Sequence, residues 1–593
     1  MCGIFFCKVL DEAGCGHVDL DGLFASALEK MRYRGEDNVA VKQINGLYFG
    51  HSRLAINGLN SASDQPVVTD DYALIFNGEY YNYKENYPSK ESDTLALFDH
   101  LQEKNYTHSS VNGPYAYAWY DIKNDMVFFR RDFFGEKPLY YYVDRKIFLV
   151  SSTLKSIVHF VKGVGGSIGL NVDALRSDYF FNGFVREPET IWEGVLEIPP
   201  NHTLVLAGES VSLKKEVVSN SRSRDTKKAE EYFKSSLLSR DVDAALLLSS
   251  GVDSNYLLVK SIEAGSGLSL VTYGGNDGEG EVEKVKKNLS KLKLDEHLYK
   301  HSSLIAKDSC KRIIGEELRC YAAIIEQPTS DGLQVNRILQ HMKKEFPSLK
   351  VVYSGLGGDE MFGGYPTFKN FFIINILVDF PGVNFVVPKM RRFVEGREIL
   401  GEWGVLTYYF LYRADPNYIS IGNHISLKRA YERFKSGVDD SVPSGFFECY
   451  ENDKSMQIKF LETFDYCKNQ LLRDIDNIAM NYGVEARVPL LNPYLLNVSV
   501  DGKKKLKEYV KDKIKVNFGK KEGFSVLDGD SAEVYKRSLL DNQEMLEKIF
   551  GEREFGRIFS LDVGSMRKFS IAAEWLNINV EFCDADRRTL VAK

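Results

Sequence analysis

The stretch Leu246-Leu247-Leu248-Ser249-Ser250-Gly251-Val252-Asp253-Ser254 constrains the fold more than any other in the chain. Its apolar run is too short for a helix and enters a Ser/Gly turn, and a helical pattern (Asn255-Tyr256-Leu257-Leu258-Val259) leaves that turn. This order puts small residues and free backbone N–H groups at a helix N-terminus, a natural anion site. Ser249, Gly251 and Ser254 can approach a pyrophosphate closely, and Asp253 can hold the Mg2+ that neutralises it. Taken alone, the pattern fits an ordinary strand–turn–helix connection equally well.

A chain of 593 residues is too long for one core, so two or more domains are expected. With 44% hydrophobic and 27% charged residues it has the composition of a soluble globular protein. The net charge of −7 argues against a nucleic-acid surface. Eight cysteines with no CxxC pair indicate neither a disulfide framework nor a zinc site. No basic segment followed by an apolar run opens the chain, so a cytoplasmic location is expected. Phe371 to Pro388 carries one charge, Asp379, but Pro381 and Gly382 interrupt it. It is expected to be a buried helix followed by a loop and not an integral membrane segment, with a surface for a partner or a lipid-linked substrate as the alternative.

Cys2 follows the initiator Met, whose removal frees an α-amino group with a pKa of roughly 7.7–8. That amine can accept the thiol proton, so nucleophile and base sit on one residue. Further blocks follow in order: Gly50-His51-Ser52-Arg53-Leu54-Ala55-Ile56, Asp64-Gln65-Pro66, Phe76-Asn77-Gly78-Glu79-Tyr80-Tyr81-Asn82, Glu91-Ser92-Asp93-Thr94, Tyr115 to Asp121 and Arg130 to Tyr141. In this order and spacing they resemble the class II glutamine amidotransferase domain, an N-terminal-nucleophile hydrolase, over about residues 2–205. One departure is Arg34-Gly35-Glu36-Asp37, where the family usually has Arg-Gly-Pro-Asp, which loosens a turn without removing a catalytic group.

The resemblance implies that Cys2 attacks the glutamine amide carbon, forms a glutamyl thioester and releases ammonia. Asn77, by its side-chain amide, and Gly78, by its backbone N–H, would stabilise the oxyanion, each such donor being worth about 10²–10³ in rate. Arg53 would pair with the α-carboxylate of glutamine and Asp93 with its α-ammonium, with Glu79 beside them. The implied fold is α+β, stacked antiparallel sheets with helices, over residues 2–207. The polar, Ser/Lys-rich span 208–228 reads as a linker.

From residue 229 to 593 the pattern changes. Leu268 to Tyr273 reads as a second strand, followed by a flexible loop, Gly274 to Gly280, and a helical pattern from Glu281 to Leu292. Alternating strands and helices mean an α/β parallel sheet with ligand at the carboxyl ends of its strands. Val351-Val352-Tyr353 leads into Ser354-Gly355-Leu356-Gly357-Gly358-Asp359-Glu360, which resembles the SGxGxDE signature of the asparagine synthetase family. The opening stretch is similar to the SGGxDS loop of ATP pyrophosphatases, with Ser250 in place of the second Gly. The resemblance spans nearly the whole chain and implies a helical C-terminal part. It also implies an ATP pocket of Leu248, Ser249, Ser250, Gly251, Val252, Asp253, Ser254, Thr272, Ser354, Gly355 and Glu360. Asp253 and Asp359 would be Mg2+ ligands, Lys521 would neutralise phosphate charge, an internal channel would carry ammonia, and a homodimer is suggested.

Three positions depart from the family. Leu356 stands where true asparagine synthetases carry Glu, Gln327 replaces the usual Glu, and Asn492 replaces the usual Asp. Three carboxylates are thus lost around the expected acceptor pocket, and a leucine cannot accept a proton or meet an ammonium. Amidation of aspartate is the default expectation. The alternatives are another carboxylate, such as a uronic-acid sugar or a peptide, and a non-catalytic regulator; a ring-closing β-lactam-type synthetase is disfavoured by the presence of Cys2. Arg487 reads equally as structural or as substrate-facing.

Overall fold

The computed structural model describes residues 2–593 apart from 105–110, 180–181, 216–224, 275–278, 293, 295–297, 306–310, 366–367, 369–452, 515, 517, 519–530, 560–562 and 584–585. The apolar stretch 371–388 and Lys521 therefore lie outside the described residues. Among the described residues no helix is long and apolar enough to cross a membrane.

Twelve strands build the N-terminal half: β1 (Cys2–Val9), β2 (Asn38–Ile44), β3 (Leu47–Arg53), β4 (Val67–Val68), β5 (Tyr72–Gly78), β6 (Tyr115–Asp121), β7 (Met126–Arg131), β8 (Tyr140–Val143), β9 (Ile147–Ser151), β10 (Val195–Glu197), β11 (His202–Ala207) and β12 (Ser210–Lys215). They form two six-stranded antiparallel sheets, ordered β10-β8-β9-β1-β3-β2 and β12-β11-β7-β6-β5-β4. Successive side chains of a strand point to opposite faces. Thus Ile4 and Phe6 of β1 enter the core between the sheets, with Phe49, Phe129 and Phe148. Phe5 and Cys7 face outward against the helices Leu20–Glu29 and Leu154–Gly163, through Phe24, Leu28, Ile157 and Phe160. The other sheet is covered in the same way by the helix Asp93–Glu103, giving helix, sheet, sheet, helix. With both faces covered, β1 reads as a continuous apolar run rather than an alternating one.

The span 208–228 is not a plain linker. Ser210–Lys215 is β12, paired along its length with β11, and a helix starts at Thr226 under an Asp225 cap. An edge strand that faces water keeps polar, lysine-bearing side chains, which is why β12 has the composition of a linker.

The second half carries a parallel sheet of β13 (Ala244–Leu247), β14 (Ser269–Gly274), β15 (His301–Ile305), β16 (Val351–Tyr353) and β17 (Glu485–Arg487), ordered β15-β14-β13-β16-β17. The chain runs outward from β13 to β15 and then returns to the other side at β16. The order therefore reverses between β13 and β16, and ligands of such sheets bind at the carboxyl ends beside that reversal. Beyond β17 the described residues are largely helical, and they end with a hairpin of β18 (Val580–Cys583) and β19 (Asp586–Ala592). The hairpin returns to the first half, where the Leu170 N–H donates to the Leu590 carbonyl and the Ala592 N–H to that of Ile168.

The two halves meet across buried charge. Arg34 pairs with Asp476 at 2.8 Å, Lys137 with Asp476 at 3.3 Å and Glu485 at 3.2 Å, and Arg186 with Asp465 at 2.6 Å. Arg473 meets Glu197 at 2.5 Å, and Lys468 is bonded to Glu187. Breaking one buried pair typically costs about 3–5 kcal/mol, so sliding one half past the other, which breaks several at once, is strongly opposed.

Candidate active site

Cys2 lies directly opposite Arg53 in the β1–β3 ladder, and its backbone nitrogen sits 3.0 Å from the Asn77 Oδ1 at the end of β5. That nitrogen would be the α-amine if Met1 is removed. Burial pushes the Cys2 thiol above its ordinary value, so a nearby base is needed to ionise it. The Arg34 Nε holds the Cys2 carbonyl at 3.0 Å. The end of β5 is fixed by Gln65, whose amide both accepts from the Phe76 N–H (2.6 Å) and donates to the Phe76 carbonyl (3.1 Å). Asn77 Nδ2 is buried without a protein partner among the described residues. A buried unpaired donor beside a nucleophile is a free oxyanion donor. Gly78 follows with φ +153°, and a Cβ there would come within 2.3 Å of the Pro114 carbonyl oxygen, so only glycine lets this backbone N–H reach the site.

Asp93 opens the helix beside this strand. Its carboxylate accepts from the Tyr80 N–H (3.2 Å) and the Thr94 N–H (2.9 Å), yet burial pushes its pKa up to about 6. Arg53 donates to Asp64 and to the carbonyls of Asn60 and Gly58. It lines an open cleft of about 670 Å³ along the seam, with Asp37, Asp64, Asp241 and Lys350 among the other walls. Glu79 does not stand free beside these groups: it accepts from Asn57 at 2.7 Å and pairs with Arg487 of β17 at 3.1 Å.

The second centre sits at the carboxyl ends of β13 and β16. Ser254 Oγ accepts from the Ser249 N–H at 3.0 Å and Ser249 Oγ from the Gly251 N–H at 3.2 Å, so hydroxyls shape the turn between β13 and the helix Val252–Ala264. Ser250 donates through N–H (2.6 Å) and hydroxyl (2.8 Å) to the Glu281 carboxylate, which takes the two donors an anionic ligand would use. The second loop packs on the first: a Cβ at Gly355 would meet Asp253 Cβ at 3.0 Å, and one at Gly358 would meet Asp253 Oδ1 at 2.4 Å. Asp253 and Asp359 converge on one cation, the Lys503 ammonium, each at 2.5 Å. Two carboxylates sharing one point charge also suit a divalent cation. No cluster of three or more His, Cys, Asp or Glu gathers among the described residues. Glu360 is buried, accepts from the Tyr365 hydroxyl at 2.6 Å, and is pushed up to about 7 by burial. Thr272 at the end of β14 meets His301 at 2.9 Å, and Leu248 and Val252 are buried in the underlying core.

The glutamine amidotransferase domain family matches residues 1–216 and the asparagine synthase family residues 234–513. The chain belongs to the glutamine-hydrolysing asparagine synthetase family. Asparagine synthetase (glutamine-hydrolyzing) 1 of Bacillus subtilis is 23% identical over 513 residues, 81% of this chain and 78% of that one. A protein of Methanocaldococcus jannaschii, provisionally named asparagine synthetase (glutamine-hydrolyzing) 2, is 27% identical over 396 residues, 59% of this chain and 74% of its own. A Mycobacterium tuberculosis protein with the same provisional description is 24% identical over 545 residues, 84% and 81% of the two chains. This synthetase-family chain is therefore a glutamine-hydrolysing amidotransferase with an ATP-using synthetase half.

Two of the three departures from the asparagine synthetase pattern have backbone partners. Asn492 is a buried cap: it accepts from the Tyr494 N–H and donates to the Ala229 carbonyl. Gln327 reaches across the seam and accepts from the Ile191 N–H at 3.1 Å. The neutral amide of Asn492 serves packing, because a carboxylate could not donate to the Ala229 carbonyl; Gln327 Nε2 is buried without a partner among the described residues. Leu356 alone stays in the loop, half-buried and packed against two buried apolar clusters that both include residues of the parallel sheet. Arg487 is fully buried and structural, bound to Glu79, to the carbonyls of Ser236 and Ser239 and to the Tyr353 hydroxyl. Lys503 and Glu281 were not legible in the sequence. Lys503 sits in a run of three lysines that reads as solvated surface, and only its φ of +65° marks it as unusual.

Proposed function

We propose that the chain makes asparagine from aspartate in the cytoplasm, using glutamine as nitrogen source and Mg-ATP to activate the acceptor. One observation carries this reading: Arg487 joins the two centres. Its guanidinium meets Glu79, one residue past the Asn77-Gly78 pair, and its carbonyl accepts from the Ser354 N–H of the second loop at 3.0 Å. Two independent enzymes on one chain would need no such joint.

In this reading the freed α-amine of Cys2 takes the thiol proton, and the thiolate attacks the glutamine amide held between Arg53 and Asp93. Asn77 Nδ2 and the Gly78 N–H stabilise the oxyanion, and collapse to the thioester expels ammonia, protonated at nitrogen by the same amine. Across the seam, the loops at Ser249–Ser254 and Ser354–Glu360 hold ATP, and attack of the acceptor carboxylate on the α-phosphorus releases pyrophosphate. Asp253 and Asp359 would hold Mg2+, which supplies charge neutralisation for the pyrophosphate when bound, and Lys503 moves onto phosphate oxygens. Ammonia then displaces AMP from the acyl-adenylate. Leu356 favours a second reading, another carboxylate acceptor, because it withdraws a negative charge from the loop that faces the adenylate.

Mass spectrometry of a reaction holding the protein, glutamine, Mg-ATP and aspartate tests the reading. Asparagine formed with stoichiometric AMP supports it. Glutamate without asparagine or AMP moves the assignment to sugar or peptide carboxylates. No glutamate at all leaves a non-catalytic regulator.

A further inference from the structure

We infer that Asp64 is an internal competitor for the α-carboxylate of glutamine: it occupies Arg53 in the resting enzyme and must be displaced for substrate to bind. The inference rests on the reading of Arg53 as the anchor for that carboxylate.

Counting donors leads to it. Both hydrogens of Arg53 Nη1 are used, one by the Asn60 carbonyl at 2.9 Å and one by Asp64 Oδ1 at 2.6 Å, and Nη2 gives one to the Gly58 carbonyl at 2.5 Å. A substrate carboxylate binds a guanidinium best through two parallel N–H groups. The end-on pair, one N–H from each Nη, is taken, so a carboxylate that docks on that face must displace Asp64 or a backbone carbonyl. Two of the three partners are backbone carbonyls of one loop. That loop is pinned to the second half, because the Gly58 N–H donates to Asp241 Oδ2 at 2.9 Å and the Asp241 N–H to the Ile56 carbonyl at 2.9 Å. Neither carbonyl can leave without refolding the loop. Asp64 can leave by a side-chain rotation: its side chain is 30% exposed, it lines the seam cleft, and its other oxygen is held by the Asn38 amide at 3.2 Å.

The exchange is like for like in charge. Arg53 is nearly buried, and an empty anchor would leave that cation without a counter-ion. Asp64 supplies the counter-ion at rest, and the incoming carboxylate supplies it in the complex. A ligand without a free α-carboxylate, such as a glutamine inside a peptide, cannot make the exchange. Asp64 thus acts on specificity as well as affinity.

Calorimetric titration in a Cys2→Ala background, which binds glutamine without turnover, tests this. Asp64→Asn, and Asp64→Ser as a second variant of the same sign, are expected to tighten L-glutamine by about two- to fivefold, the range for a partly exposed ion pair. L-glutaminamide, which lacks the carboxylate, is expected to bind both variants as it binds the parent. Unchanged or weaker glutamine binding in both variants, or an equal tightening of glutaminamide, would overturn the inference while leaving the anchor intact. Arg53→Lys separates the two claims. Glutamine binding as tight as the parent's would mean the anchor lies elsewhere, and the role of Asp64 would fall with it.

Discussion

The Arg487 guanidinium lies 3.1 Å from the Glu79 carboxylate, with both side chains buried, and it is packed over the rings of Tyr81 and Tyr353. Burial pushes the Glu79 carboxyl up and Arg487 pulls it back, so the pair is held as ions only because each has the other. Glu79→Gln leaves a buried guanidinium without its counter-ion and is expected to cost about 3–5 kcal/mol of stability, read by denaturant unfolding. An unchanged midpoint would mean that water enters the seam.

In the proposed reading, nucleophile and adenylate centre are separable by substitution. Cys2→Ala is expected to abolish glutamine-dependent synthesis and to keep synthesis from ammonium salts. Lys503→Gln is expected to do the reverse, keeping glutaminase activity and losing synthesis from either nitrogen source, because it removes the cation shared by Asp253 and Asp359. Assays of glutamate and AMP release on both variants check this.

Gly78→Ala is expected to cut glutaminase turnover by about 10²-fold or more, the value of one oxyanion donor. The added methyl collides with the Pro114 carbonyl and must push the N–H out of line. Ammonium-dependent synthesis in the same variant reports that the fold survives.

The acid limb of glutamine use is expected near pH 6. Burial raises Asp93 to about 6, and in the proposed role only its ionised form would attract the substrate ammonium. Below that pH, kcat/KM for glutamine should fall by about tenfold per unit, and this limb should be absent from the residual activity of Asp93→Asn. Stability runs the other way. A carboxyl with a raised folded-state pKa contributes fully below its unfolded value, about 4, and that contribution is lost as pH rises through about 6.

What could be read in the sequence were candidate site residues that lie in short runs. Cys2, Asn77-Gly78, Ser249 to Ser254 and Ser354 to Glu360 could be read because a turn that exposes backbone N–H groups must be written in consecutive small residues. The parallel sheet followed from β13 and β16 being short apolar runs that end in such turns. Lys503 could not be read, because its partner Asp253 is 250 residues away. The roles of Gln327 and Asn492 were not legible either, because the partners of their amides, the Ile191 N–H and the Ala229 carbonyl, lie more than a hundred residues away. β12 was hidden because a solvent-facing edge strand needs no apolar face.

The closing hairpin sets a timetable for biosynthesis. The Lys162 ammonium donates to the Ala592 carbonyl, 430 residues further along the chain. At roughly 5–20 residues per second, a ribosome delivers that partner only after about 20–90 s. For that interval the nascent glutaminase half carries the open backbone edge at Ile168–Leu170 that the hairpin later covers. Growth temperature and chaperone supply should therefore govern yield more than the stability of the finished enzyme does.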